Sequence, residues 1–364
     1  MAQQLEEIDD LQVIDEAILD DTVTPDRYDI SSFGADYDVE GLVRRINRGD
    51  IFIPDFQRDY VWRIPEASRF IESLLLGLPV PGIFLARESE SNRLLVIDGQ
   101  QRLKTIQFFY DGLFDPKPDE KTHRVFALTK VQPELEGLTY ASLTEKDRIK
   151  LDNSIIHATI VKQDTPKDDD TSVYHIFERL NNGGRKLTPQ EIRTALYHGP
   201  FIDLIKELNE YAEWRQIYGP KNNRLKDQEL ILRFLALFFD YERYEKPMVE
   251  FLNKFAARHQ VADPEFLGDC KGVFVQTIDV VWQSFNSNAF RPERSLNAAV
   301  FDSVMVGIAY RLKRAPIDNV EALLESYVKL FEDRDYRIAI FQSTSNEASV
   351  QTRIRKAVDA FANV

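Results

Sequence analysis

The sequence predicts an α+β protein, with a mixed domain over residues 26–165 and an all-helical domain over 166–364. Two observations carry this. Between Tyr28 and about residue 165, short apolar runs alternate with segments of helical spacing. Beyond the acidic loop Asp168–Asp170, every apolar-periodic segment has the helical period. With 364 residues and 43% hydrophobic composition, the chain is long enough to bury two cores.

The elements follow in order. Residues 1–25 read as an acidic, disordered tail, because eight carboxylates and no Lys or Arg fall within the first 21 residues. Asp36 or Asp38 caps a helix running to about Arg48, and Gly49-Asp50 turns the chain into a strand at Ile51–Ile53. Pro65 suits the first turn of a helix that Gly77 ends. The apolar runs Gly82–Arg87 and Arg93–Ile97 flank a polar stretch and predict a hairpin. Asp98 and Gly99 break the strand, and Gln100–Tyr110 reads as a helix. Residues 115–153 look like an insertion, with a strand near Val125 and a helix capped by Thr144; Ile155–Val161 is a further strand. Helices are expected near 171–181, 189–198, 201–211, 227–241, 247–259, 273–286, 296–314, 319–332 and 346–362, punctuated by Pro and Gly.

Composition excludes several functions. One cysteine, Cys270, rules out an internal disulfide framework and fits a reducing cytosol. The longest apolar runs fall short of the roughly 18 residues that span a bilayer, and the first residues lack a basic, then apolar, export signal. A cytoplasmic protein without a membrane role is expected. The net charge of -14 is concentrated in the tail, leaving -6 on the other 343 residues, so no overall basic field attracts duplex DNA. Local basic groups at Lys221/Arg224/Lys226, Arg311/Lys313/Arg314 and Arg353/Arg355/Lys356 read as solvated helix faces. The five histidines are isolated, no His-Asn-His grouping occurs, and neither a zinc site nor a Walker loop is present.

Three segments carry candidate chemistry. Val96–Leu103 has the order apolar strand, Asp-Gly, polar triple, helix. A glycine turn lets backbone approach a ligand closely, and the helix start directs N–H groups and a positive dipole end at the same spot. Arg102 supplies a bidentate cation for phosphate oxygens, Gln100 and Gln101 supply neutral donors and acceptors, and Asp98 holds a metal-bound water or orients Arg102. In Ile53–Trp62, Gln57 and Arg58 could reach phosphate, and Tyr60 and Trp62 could stack on a base; the alternative is a loop packed on the core. In Phe177–Arg193, Thr188, Pro189 and Glu191 form a helix start. Arg179, Arg185, Lys186 and Arg193 gather around the glycine turn Asn181-Asn182-Gly183-Gly184, which suits an anion; a bare helix–turn–helix junction is the alternative.

Together these segments resemble a known family. Phe-Gln-Arg-Asp-Tyr-Val-Trp at 56–62, Ile-Asp-Gly-Gln-Gln-Arg-Leu at 97–103, Phe-Glu-Arg-Leu-Asn-Asn-Gly-Gly at 177–184 and Leu-Thr-Pro-Gln-Glu-Ile-Arg at 187–193 are similar to the signature blocks of the GmrSD restriction-system N-terminal domain family. The run Ser73–Pro81 also looks like the family's helix-ending segment. The resemblance implies a ParB/sulfiredoxin-like fold, with Gly99 and Arg102 at the phosphate-binding turn. It implies nucleotide contacts from Gln57, Arg58, Gly99, Gln100, Arg102, Arg179, Asn181, Gly183, Gly184 and Arg185, and turnover assisted by Asp98, Gln101 and Arg102. Gln100 and Gln101 stand where sulfiredoxins carry a cysteine, so sulfur redox chemistry is not expected.

The expected function is a nucleotide-binding, potentially hydrolysing component of an anti-phage restriction system that regulates a separately encoded effector. A nucleoside triphosphate with Mg2+ is the expected cofactor; DNA and a second copy of the chain are further candidate partners. The competing readings are a non-catalytic DNA-binding module, and a nickase gathering Asp55, Asp59 and Asp98 around magnesium.

Overall fold

The computed structural model describes residues 13–14, 29–53, 60–87, 92–116, 123–165, 176 and 187–364. In chain order the elements are β1 (Val13–Ile14), β2 (Asp29–Asp38), α1 (Val39–Asn47), β3 (Ile51–Phe52), α2 (Ile64–Leu76), β4 (Ile83–Arg87), β5 (Leu94–Asp98), α3 (Gln100–Asp111), β6 (Leu113–Phe114), β7 (Arg124–Val125), α4 (Glu145–Asp152) and β8 (Ile155–Thr165). There follow α5 (Pro189–Leu196), α6 (Pro200–Asn209), α7 (Ala212–Tyr218), α8 (Lys226–Asp240), α9 (Met248–Arg258), α10 (Pro264–Phe285), β9 (Leu296–Asn297), α11 (Ala298–Leu312), α12 (Val320–Glu332), α13 (Arg334–Phe341) and α14 (Glu347–Phe361). The chain is thus α+β, a sheet-bearing part followed by a helical one. It divides into two compact units, residues 27–186 and residues 187–364 with 1–26. The division falls after Lys186, whereas the sequence pattern changes near residue 165.

The first unit is a five-stranded mixed sheet in the order β2-β8-β4-β5-β3. Helices α1, α2 and α3 cover one face. Val39 and Leu42 of α1, Ile71 and Leu74 of α2, and Leu103 and Ile106 of α3 pack on Leu85, Val96, Ile156 and Ile160 of the strands. Asp38 caps α1, its Oδ1 accepting from the Gly41 N–H at 2.5 Å. Gly77 ends α2 in the left-handed conformation, with its N–H on the Leu74 carbonyl. The hairpin reading of β4 and β5 holds, as antiparallel neighbours. Strand β2 is longer than its sequence suggests. Among its described side chains only Ala35 and Tyr37 reach the core cluster, a pattern suited to a sheet edge.

The second unit is helical, with one large core around α8 and α11. Phe234, Leu235 and Phe238 of α8 and Val300, Phe301, Val304 and Met305 of α11 are all buried there. Pro264 does not interrupt a helix. It occupies the first turn of α10, whose start Asp263 caps, so that helix begins nine residues earlier than the apolar pattern alone indicates. Helices α7 and α13 are short and lie where no helix was expected. Val13–Ile14 pair in parallel with Leu296–Asn297, so the acidic N-terminal segment is not uniformly a free tail; its other residues lie outside those described. Cys270 is buried, and burial pushes its thiol up to about 12, as suits a structural thiol.

Of the three basic groups, Lys221, Lys313, Arg314 and Arg355 are exposed, as solvated faces require, and Arg353 is the clear exception. Arg353 is fully buried and, with Arg233, flanks Asp302 at 2.8 and 2.7 Å. Lys221 pairs with Glu210, Arg224 with Glu191, and Lys356 with Asp333. Lys313 lies 4.3 Å from the Phe238 ring centroid.

Candidate functional site

The site is built at the end of β5. Leu85 pairs with Val96, but the next residue of β4, Phe84, pairs with Asp98. Ile97 is therefore an extra residue, a β-bulge that moves Asp98 from the core-facing set to the other face of the sheet. The Asp98 side chain is accordingly half-exposed, whereas Leu94 and Val96 are buried.

Gly99 follows with φ +103° and ψ 7° and stands at the N-cap of α3. A Cβ there would lie 2.4 Å from Ile83 Cγ2, so no other residue fits without movement. No side chain caps α3 at this position, and the ladder begins with the Leu103 N–H on the Gly99 carbonyl at 3.0 Å. The N–H groups of the first turn have no acceptor inside the helix and carry its positive dipole end. No acidic residue lies in that turn. Arg102 does, its side chain largely buried, with Nη2 donating to Asp98 Oδ2 at 2.7 Å. The result is a close backbone approach, a helix N-terminus and an oriented guanidinium at one corner.

The segment at 60–62 is tied to this corner. The N–H groups of Val61 and Trp62 both donate to Gln101 Oε1, at 3.0 and 3.3 Å. Gln101 is thus a positioning residue for that segment. The Tyr60 hydroxyl meets Thr105 Oγ1 at 2.7 Å, and Thr105 donates its only proton to the Gln101 carbonyl at 2.6 Å, so Tyr60 is the donor in the first bond. Tyr60 is buried edge-on against Phe108 and Phe114, and burial pushes its hydroxyl up beyond the ordinary range. This corrects the expectation that Tyr60 stacks on a base: its ring belongs to the core. Trp62 packs edge-on against Phe70 and stays partly exposed. Gln100 is buried at the helix start.

Gln57 and Arg58, together with Asp55 and Asp59, lie outside the described residues, as do Arg179, Asn181, Gly183, Gly184 and Arg185. The block that follows is described, and Arg193 is not at an anion site. It is fully buried in the helical unit, where Nε donates to Asn253 Oδ1 at 2.9 Å and Nη1 lies 3.2 Å from Glu229 Oε2. Thr188 caps α5 and Glu191 completes the capping box, as its sequence predicts. Among the described residues, no group of three His, Cys, Asp or Glu could hold a metal ion. No helix among them is long and apolar enough to cross a membrane.

The same end of the sheet holds a feature that sequence reading missed. His157 of β8 and Asp36 of β2 are register partners, with Nδ1 and Oδ1 2.5 Å apart. They are 121 residues apart in sequence, and neither belongs to a motif, so only the strand register brings them together.

The uncharacterized protein MJ0686 of Methanocaldococcus jannaschii is 29% identical over 109 aligned positions, covering 23% of this chain and 19% of that protein. The chain therefore spans about a fifth of the length of this curated relative. The family described as the N-terminal domain of GmrSD restriction endonuclease matches residues 39–198, the stretch containing the bulge, the Gly99 turn, α3 and α5. Over residues 39–198, somewhat under half of its length, the chain is thus similar to the N-terminal domain of GmrSD restriction endonuclease.

Proposed function

We propose that the chain is a nucleotide-binding component of a prokaryotic DNA restriction system, and that nucleoside triphosphate is held at the Asp98–Arg102 corner. One observation carries the reading. The Gly99 turn, the N-terminus of α3 and the Arg102 guanidinium converge at one point, and phosphate is the ligand chemistry that uses all three. Asp98, half-exposed beside Arg102, suits a magnesium-bound water that accompanies the phosphates. Gln101 keeps residues 61 and 62 against the helix start and so shapes the rim. Bound nucleotide would govern a partner effector acting on DNA. A purely DNA-binding module is supported less well, since Tyr60 faces inward and the body carries no basic excess.

The test is thermal melting of wild-type protein and Arg102→Ala with each of the four ribonucleoside triphosphates and Mg2+. One nucleotide is expected to raise the wild-type melting temperature; saturation at a hundred times Kd stabilises by about 2.7 kcal/mol. Loss of a charge-assisted contact of about 1.5–3 kcal/mol should weaken binding roughly ten- to a hundredfold in Arg102→Ala, with unliganded melting little changed. Equal shifts in both proteins, or none in wild type, would refute the assignment.

A further inference from the structure

The Asp36–His157 pair stands on the same sheet end as the Gly99 turn, and the spacing between them follows from the register. His157 is opposite Asp36 on β2, and Ala158 is opposite Ile83 on β4. Gly82 lies directly beside His157: a Cβ on Gly82 would come within 2.8 Å of the His157 carbonyl oxygen. On its other side β4 meets the turn, since Ile83 is the residue that a Cβ on Gly99 would strike. From the start of α3 to His157 is therefore two strand spacings, about 10 Å. Both glycines allow this part of the edge to close tightly.

The two sites also share a face. Along β8, Ile156 and Ala158 are buried in the core and His157 is exposed between them. Phe84, which pairs with Asp98, also pairs with Thr159, two residues on from His157 and on the same side of β8. The bulge at Ile97 thus sends Asp98 to the face from which His157 projects.

The chemistry of the pair is directional. An ionised Asp36 carboxylate can only accept, so His157 Nδ1 carries the hydrogen of this contact, and a neutral ring so oriented has its lone pair on Nε2. The ring is largely exposed, and the contact to Asp36 is made by Nδ1. An imidazole so held is a base awaiting a proton.

Resting on the nucleotide reading above, we propose that His157, oriented by Asp36, is the proton acceptor for hydrolysis of a nucleoside triphosphate bound at the Asp98–Arg102 corner. The water oxygen forms the new bond to the terminal phosphorus, and its proton passes to Nε2. The bond from that phosphorus to the bridging oxygen breaks, and its electron pair leaves with the nucleoside diphosphate. His157 then returns the proton to solvent. Asp36 is a positioning residue, because it acts through the ring.

The experiment uses the full chain as wild type, His157→Ala and Asp36→Asn, with each of the four ribonucleoside triphosphates and Mg2+. Wild type is expected to release phosphate. His157→Ala should keep the nucleotide-induced melting shift but lose about 10²-fold or more in turnover, with part of the rate restored by added imidazole. Asp36→Asn should slow turnover about tenfold or more, and nitrogen NMR of the His157 ring should show the Nδ1–H tautomer giving way to a mixture. Wild-type turnover in His157→Ala, no response to imidazole, or binding without hydrolysis in wild type would each overturn this proposal alone. No nucleotide binding by wild type would overturn the pocket as well.

Discussion

Substituting alanine for Gly99 tests the geometry on which the site stands. Two costs are separable. The backbone there has φ +103°, and holding an L-residue in the left-handed region costs about 1–2 kcal/mol. The added methyl would sit 2.4 Å from Ile83 Cγ2 and 2.9 Å from Ile83 Cβ. Ile83 is buried and a β-strand residue, so it cannot swing aside, and overpacking of this kind costs about 1–3 kcal/mol. The total is about 2–5 kcal/mol. Gly112, at the other end of the same helix, is the control: its φ is +73°, and a Cβ there meets nothing within 4 Å, leaving only the conformational cost. Amide hydrogen exchange of Leu85, Val96 and Ile160 reads the stability of the sheet unit by itself. Exchange should accelerate about thirty- to several-thousandfold in Gly99→Ala and about five- to thirtyfold in Gly112→Ala, at about 1.4 kcal/mol per tenfold. In an Ile83→Ala background the Gly99→Ala penalty should shrink, because the nearer contact is gone. Equal acceleration in the two glycine variants would refute the claim that β4 and the turn are in steric contact.

Two further outcomes follow from the helical unit. Asp302 is fully buried between Arg233 and Arg353, so Asp302→Asn removes the carboxylate that the two buried guanidiniums share. It should cost about 3–5 kcal/mol in a urea titration, whereas replacing all three residues by Met or Leu should cost far less. His259 is stacked on Phe266 at 4.1 Å, and burial, then the neighbouring Arg258, lowers its pKa below the ordinary histidine value. The unfolded chain therefore binds the proton more readily. Stability present above about pH 6.5 should fall as pH drops through the unfolded value, and His259→Phe should remove that part of the decline in melting temperature.

The helices were legible wherever apolar period and cap agreed: Thr188-Pro189-Gln190-Glu191 specifies the start of α5 to the residue. The hairpin and the Gly99 turn were legible because glycine and aspartate punctuate an apolar run. Strand β2 was not, because an edge strand has one half-buried face and its polar residues mask the alternation. The bulge at Ile97 was equally invisible, since Leu94–Ile97 reads as an unbroken apolar run and only pairing with β4 reveals the extra residue. The direction in which a side chain points was the least legible property. Tyr60 and Arg193 sit in motifs that advertise polar function, yet both are buried, and the residues that hydrogen-bond the Tyr60 hydroxyl and Arg193 Nε lie 45 and 60 positions away, outside either motif.

That division of labour explains why motif blocks forty residues apart occur together. The corner proposed for phosphate has its helix N-terminus and guanidinium within 97–103, and a second block must be held against it to shape the rim. Gln101 does so indirectly, accepting two backbone N–H groups from residues 61 and 62, while Tyr60 anchors the same segment through Thr105 one turn further along α3. Of the polar residues in the two blocks, Asp98 and Arg102 face the corner, and Gln101 and Tyr60 hold the wall beside it. The four are then parts of one object. A glutamate at 101 would keep both acceptor bonds but set a negative charge beside the proposed phosphate seat. The wall would stand and the affinity would fall, which separates what Gln101 holds in place from what the corner binds.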